Sequence, residues 1–305
     1  MCAALLSGCS CGGELLVDGP TPYQRCVAMG PPAARELDVG AVHLSVVERT
    51  VTIDAPGVPR LALARGPAGS GEPIVAGLDV LEAGAPSAVI LLGDLGDGEG
   101  TDPESVRALA EALAQLPVPV LLLPGGRDLA EPVREALPDD GHVLDLMGVR
   151  SVRIGTLELV PLPGAPDGRY GTGGCGLSAQ DVASIEGELE HVEGTRLLLS
   201  TFAPATGDPR TAGIDGHEAG SPLVRDALTT LSARGGIYAL PEVAIALPFD
   251  GTTRAAVPTD AVATLHLVVP RWLGPATEQV DGSRQPSGVV VLEVREGGLA
   301  VVEVP

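Results

Sequence analysis

Val89 to Asp97 read VILLGDLGD, and Val120 to Asp128 read VLLLPGGRD. Each is a short apolar run that ends in glycine and then aspartate. Runs of this length bounded by turn formers are buried strands, so Asp94 and Asp128 fall on loops just past two strand ends. Open α/β sheets bind ligands at that carboxyl edge. Glycine lets the backbone turn sharply there, so that carboxylates from neighbouring loops can converge on one centre. The two segments therefore predict a sheet with a site at its edge, and the remaining question is which side chains fill it.

Working outward, strand and helix patterns alternate from Arg60 to Tyr238 without a linker break, which argues for one α/β domain. Val42 to Ile53 predicts one or two strands, and Arg60 to Ala64 another. Helices are expected over Ile74 to Ala83, Pro103 to Leu116, Ala130 to Leu137, Ser178 to Glu190 and Pro222 to Ala233. Asp102 and Ser178 are natural N-caps, and Pro103 suits a first helical turn. Strands are expected within His142 to Val160, with turns at Gly148 and Gly155, and over Arg196 to Thr201 and Ile237 to Leu240. Val262 to Val269, Gly288 to Val294 and Leu299 to Val304 close the chain as strands. The long segment Ala203 to Ser221, rich in small residues, is a loop of the kind that shapes a site.

Composition narrows the partners. Nineteen basic against forty acidic side chains give a formal charge of −21, and the sequence contains no lysine. Such a chain is repelled by phosphate backbones and anionic membrane surfaces. Aromatic residues are 2% of the chain, too few for a base-stacking platform. Nucleic acid is excluded as a partner on both counts; a small ligand or another protein is the expectation.

From Arg60 onward the order strand, helix, Gly-Asp strand, helix, Gly-Gly-Arg-Asp strand resembles the calcineurin-like metallophosphoesterases. The resemblance implies an α/β fold of two β-sheets flanked by helices, spanning residues 33–305. It also implies two divalent metal ions (Mn, Fe or Zn) about 4 Å apart, which generate a hydroxide and clamp a phosphoryl group. Asp94 matches the bridging aspartate, with Asp97 three residues on, and Asp128 closes the next motif. Gly126 stands where the resemblance places a metal-binding asparagine, and Arg127 stands at the general-acid histidine position. An arginine does not readily release a proton near neutral pH.

The other ligand positions carry the wrong chemistry. The Asp-x-His motif falls on Ala64 to Ala68, which offers Arg65 but no metal ligand. Ser200, Thr201 and Phe202 replace a histidine, and Ala239 to Glu242 replace Gly-His-x-His. The expectation is a domain that has lost most of its metal ligands and serves as a non-catalytic binding or structural module, with no cofactor. The alternative is an active metal-dependent phosphoesterase with a site rebuilt from Asp94, Asp97, Asp128 and His217. His217 is equally readable as a solvated loop residue, and Asp94 as a loop cap that accepts backbone N–H bonds. An unrelated α/β envelope protein, with Asp94 and Asp128 far apart, is the third possibility. Gly66 to Glu72, GPAGSGE, echoes a P-loop, but Glu72 occupies the lysine position and Pro73 follows, which excludes a nucleotide triphosphate site.

The N-terminus adds a cellular expectation. A leucine followed by Ser7, Gly8 and Cys9 resembles the lipobox of bacterial lipoproteins, in which the cysteine is acylated. The preceding stretch is too short for a signal segment, so an upstream start is expected, and Ser10 after Cys9 implies the outer membrane. Residues 1–32 are then a lipid-anchored tether, the membrane contact is the lipid alone, and the location is the bacterial cell envelope rather than the cytoplasm. The competing reading is a flexible tail with chance cysteines. An exported domain can carry disulfides, and Cys26 with Cys175 is the favoured pair, with connectivity left open by sequence.

Overall fold

The continuous apolar runs of the central strands decide the architecture. In the computed structural model the described residues are 24–66, 73–96, 103–139, 141–166, 174–190, 194–205, 220–239, 265–274, 276–278, 284–295 and 298–302. In chain order they form β1 (Arg35–Val39), β2 (Val42–Val47), β3 (Thr50–Asp54), β4 (Arg60–Arg65), α1 (Pro73–Glu82), β5 (Ala88–Leu92) and α2 (Pro103–Leu113). β6 (Val120–Leu123), α3 (Ala130–Ala136), β7 (Val143–Asp145), β8 (Ser151–Ile154) and β9 (Leu157–Leu162) follow. Next come β10 (Ala165–Pro166), β11 (Gly176–Leu177), α4 (Ala179–Glu188), β12 (Thr195–Ser200), α5 (Pro222–Thr230) and β13 (Gly236–Tyr238). The chain ends with β14 (His266–Val268), β15 (Thr277–Glu278), β16 (Arg284–Gln285), β17 (Val290–Arg295) and β18 (Gly298–Val302).

These strands build a six-stranded sheet, β18-β17-β4-β5-β6-β7, and an eight-stranded sheet, β1-β2-β3-β8-β9-β12-β13-β14. β4 to β7 pair in parallel, as do β9, β12, β13 and β14 and the pair β3 and β8, while β4-β17-β18, β1-β2-β3 and β8-β9 pair antiparallel. Successive side chains on a strand face opposite sides, and each side here is apolar. Leu61, Leu63, Ile90, Leu92, Leu121 and Leu123 meet Leu44, Ile53, Leu159, Leu197 and Leu199 of the other sheet in one core. Ala62, Val89, Leu91, Val120 and Leu122 face the opposite way, onto Leu81, Val106, Leu109, Leu113 and Val133 of the helices. Val160, Leu162, Leu198 and Tyr238 face Val182, Ile185, Val224 and Ala227. The result is the helix-flanked pair of sheets expected from the sequence.

The helix starts follow their sequence signals. Ser178 caps α4 through a reciprocal bond pattern with Asp181, and Ser221 caps α5 through the Val224 N–H, with proline at its first turn. Asp102, the expected cap of α2, lies outside the described residues.

The globular body begins before residue 33. Cys26 and Val27 are buried, and Cys26 forms a disulfide with Cys175, Cα to Cα 5.3 Å, across 149 residues of sequence. Arginines hold the same segment by its carbonyls: Arg150 donates to Val27 O at 2.9 Å and Arg49 to Met29 O at 3.1 Å. Arg25 donates to the buried Asp181 carboxylate. Part of the stretch expected as tether is thus joined to the body by the disulfide, by arginine hydrogen bonds and by the burial of Cys26 and Val27.

A cross-link closing so long a loop restricts the unfolded chain strongly. The double variant Cys26→Ala/Cys175→Ala is expected to lose about 2–4 kcal/mol of stability in a urea titration, and dithiothreitol should lower the wild-type midpoint alone. An unchanged midpoint in the double variant would show that the arginine contacts suffice to hold this segment.

Candidate functional site

The ends of β4, β5 and β6 meet the ends of β12 and β13 at one edge of the sandwich. They enclose a small cavity, about 30 Å³, lined by Arg65, Asp94, Arg127, Thr201, Phe202 and Ala239 together with Gly93, Gly125 and Gly126. That is room for one or two water-sized groups. The cavity lies where the two Gly-Asp segments placed it.

Asp94 gains its position from two consecutive left-handed residues. Gly93 has φ +65° and Asp94 φ +52°; glycine adopts this region freely and aspartate tolerates it. The Gly93 N–H donates to Leu123 O at 2.7 Å, and Gly93 O accepts from the Gly66 N–H at 3.1 Å. A Cβ on Gly93 would stand 3.0 Å from Thr201 Cγ2, so the close approach of the two sheets also requires glycine. This turn aims the Asp94 carboxylate at Arg65, whose Nε donates to Oδ2 at 2.6 Å. A terminal Arg65 nitrogen reaches the same oxygen, and both side chains are largely buried, 7% and 14% exposed. The carboxylate that sequence reading put forward for a metal is engaged by a guanidinium. A search for metal ligands passes over Arg65; the available signal was a cation ending an otherwise apolar strand at a ligand position.

Asp128 lies beside this pair but serves the loops. Its Oδ2 accepts from Gly125 N–H at 2.7 Å and its Oδ1 from Leu95 N–H at 2.9 Å, with 1% of the residue exposed. Burial pushes its pKa up to about 7, against the pull of those N–H donors and with a further rise from the Asp94 charge. Both oxygens are committed to backbone, so Asp128 braces the turns after β5 and β6 rather than facing the cavity as a ligand. Asp94 and Asp128 are nonetheless brought together, contrary to the separation expected of an unrelated fold.

The remaining ligand positions are filled by packing. A Cβ on Gly126 would stand 2.3 Å from Ala165 Cβ, so no asparagine fits in the present backbone. Thr201 Oγ1 donates to Gly164 O at 3.0 Å, and buried Ser200 accepts from the Phe202 N–H through Oγ. Ala239 follows β13 and lines the cavity. Arg127 stands exposed at the cavity wall. Asp97, His217, Cys9 and the Gly-rich stretch 67–72 lie outside the described residues. Among the described residues no three His, Cys, Asp or Glu side chains group to hold a metal ion.

A second cation missed by sequence reading is Arg271, just after β14. The Arg65 N–H donates to Pro270 O at 2.7 Å and Arg65 O accepts from Trp272 N–H at 2.9 Å, which sets Arg271 beside Arg65. Burial and the charges of Arg65 and Arg127 lower the Arg271 pKa, and Asp94 raises it. Trp272 anchors this segment through Nε1 to Gly77 O, 3.0 Å.

No family model and no curated protein matches the sequence. Solved structures do match in shape. The protein TT1561 of Thermus thermophilus superposes with a TM-score of 0.52 at 12% identity, covering 82% of this chain and 100% of that one. A second solved structure gives 0.55 at 11% identity with the same coverage of both chains. The purple acid phosphatase PPD1 from yellow lupin seeds gives 0.49 at 13% identity, covering 83% of this chain and 54% of that one. At these identities the first two likenesses describe the fold alone.

Two tests follow from the geometry. Asp94→Asn keeps the left-handed turn accessible and removes the charge, leaving Arg65 buried without its partner; about 3 kcal/mol of stability should be lost. Adding Arg65→Met should recover a large part of that loss, whereas a fully additive double variant would deny the pairing. Asp128 sets a pH dependence. Between about pH 4 and pH 7 the folded state keeps a proton that the unfolded carboxyl, normally near 3.8, has released. Stability contributed at this position therefore falls as pH rises through that interval. Asp128→Asn should flatten the slope of urea midpoint against pH relative to wild type; an identical slope would place the proton elsewhere.

Proposed function

We propose that this chain is a metal-free, non-catalytic relative of the phosphoesterase fold, a binding or structural domain carried on a lipid anchor at Cys9 in the bacterial cell envelope. One observation carries the non-catalytic part: the Arg65 guanidinium is bonded to Asp94. A cation from the chain itself meets the carboxylate that a metal ion would need. The packing of Ala165 against Gly126 supports the same reading, since the asparagine ligand has neither a side chain nor a place. Hydroxide generation by a metal pair has no counterpart among the residues lining the cavity.

The envelope part rests on the Leu-Ser-Gly-Cys sequence ending at Cys9. The Cys26–Cys175 disulfide supports it, because such bonds persist in oxidising compartments. Among the described residues no helix is long and apolar enough to cross a membrane. A ligand or a protein partner in the envelope is then what the cavity edge serves.

Purified protein assayed on a generic aryl phosphate with added manganese should show no turnover above buffer, and elemental analysis should find no stoichiometric metal. Turnover that Asp94→Asn abolishes, with metal bound at stoichiometry, would overturn the non-catalytic reading in favour of a rebuilt site. Intact mass of membrane-extracted protein should show acylated Cys9; an unmodified cysteine would remove the anchor.

A further inference from the structure

A larger cavity lies apart from Asp94 and shares none of the lining residues described above. Val51 and Ile53 of β3 and Val152 and Ile154 of β8 point into the core. Thr50, Ser151 and Arg153 therefore point to the other face of the eight-stranded sheet. There the β2–β3 turn, the start of β8 and the end of α4 enclose about 430 Å³, the size of a small-molecule site. Arg49, Arg150 and Arg153 line it together with Glu48, Glu188 and Glu190.

Parallel pairing crowds the cations. Thr50 stands opposite Ser151, and the Arg49 carbonyl accepts from the Arg150 and Ser151 N–H groups at 2.8 and 3.3 Å. Arg49 is thereby set beside Arg150, whose side chain is 5% exposed. Glu188 serves both: its Oε2 is 3.1 Å from Arg49 Nε and 3.2 Å from Arg150 Nε. The second contact lacks hydrogen-bond direction, and the buried Arg150 Nε has no hydrogen-bond partner. Arg153 Nη2 donates to Glu190 at 2.8 Å. Carbonyls take further donors, Met29 O and Gly148 O from Arg49 Nη1 and Val27 O from Arg150 Nη2. Among the described residues no hydrogen bond leaves Arg49 Nη2 or the Nη1 atoms of Arg150 and Arg153. Guanidinium ends of this kind match the paired oxygens of a carboxylate.

The signs are also separated in depth. The arginines are buried or half-buried, whereas Glu190 and Glu48, the latter at the turn tip with φ +52°, stand at solvent. Three cations and three carboxylates make the groove neutral, so a dianion would leave it with excess negative charge and a zwitterion would not. We propose that this groove binds a small zwitterion of the amino acid or peptide class. Its carboxylate is held by the arginines, and its ammonium group lies toward Glu48 and Glu190. The site uses nothing from Asp94, so it stands or falls separately from the non-catalytic reading. Binding of this kind weakens as salt screens it.

Calorimetric titration of the full-length protein with alanine, trialanine, N-acetyl-trialanine, trialanine amide and inorganic phosphate tests the site. Saturable binding of alanine or trialanine is expected, and the tighter of the two tells free amino acid from peptide. Both capped peptides and phosphate should bind at least about tenfold more weakly, the scale of one charged hydrogen bond. Arg153→Gln should weaken the zwitterion by roughly tenfold, and Glu48→Gln by roughly threefold, as for an exposed ion pair. Arg225→Gln, at the exposed pair with Asp226, should leave binding unchanged. If Arg153→Gln fails to fold by circular dichroism, Glu48→Gln decides. No saturable binding of either zwitterion, a capped peptide or phosphate binding as tightly, or unchanged affinity in the deciding variant would overturn the proposal.

Discussion

The ion pair between Arg65 and Asp94 sets the character of the whole sheet edge. A carboxylate at the end of a buried strand, turned inward by two left-handed residues, must find a cation or lose its charge. Here the adjacent strand supplies one from its last residue, and parallel pairing of β4 with β5 places Arg65 opposite Leu92, two residues before Asp94. With the charge met from within, the surrounding loops are free to close. Gly66 bonds to Gly93 O, Asp128 ties the turns after β5 and β6, and Ala165 packs onto Gly126. The small cavity is the outcome of that closure.

The absence of lysine gives the rest of the molecule the same logic. Arginine offers several donors in a fixed plane, and some arginines here serve more than one acceptor. Arg196 reaches Glu158, Leu231 O and Glu190 O, and Arg134 reaches Asp145 and Met147 O. Glu158, buried in β9, is satisfied in turn by the Ser151 hydroxyl. Buried charges remain tolerable only when such networks are complete. The sandwich thus carries charged braces across strand and loop boundaries while its three apolar layers supply the burial.

The layers were legible because a continuous apolar run of strand length needs both of its faces buried, which a sheet covered on each side provides. Val120–Leu123 illustrates it, since the same four residues are strand by pattern and strand in the fold. The first strand, Arg35–Val39, was not legible: it is short, half exposed and polar at alternate positions, and its pairing with β2 is what defines it. At the site, the positions of Asp94 and Asp128 could be read, but their partners could not. A search for metal ligands overlooks guanidiniums, and Arg271 reaches Arg65 only through a bridge formed 206 residues later in the chain. The exclusion of an asparagine at Gly126 is likewise a property of Ala165, which no local spacing reveals.

The central claim is that the Asp94 carboxylate belongs to Arg65 and not to a metal. Paramagnetic broadening of backbone amide resonances under stoichiometric manganese tests it most directly. The Gly93, Asp94 and Leu95 signals should keep their intensity, and the Arg65 Nε–H should remain protected from exchange. Selective loss of those three signals, reversed by EDTA and absent in Asp94→Asn, would show a metal ion at Asp94 and contradict the account.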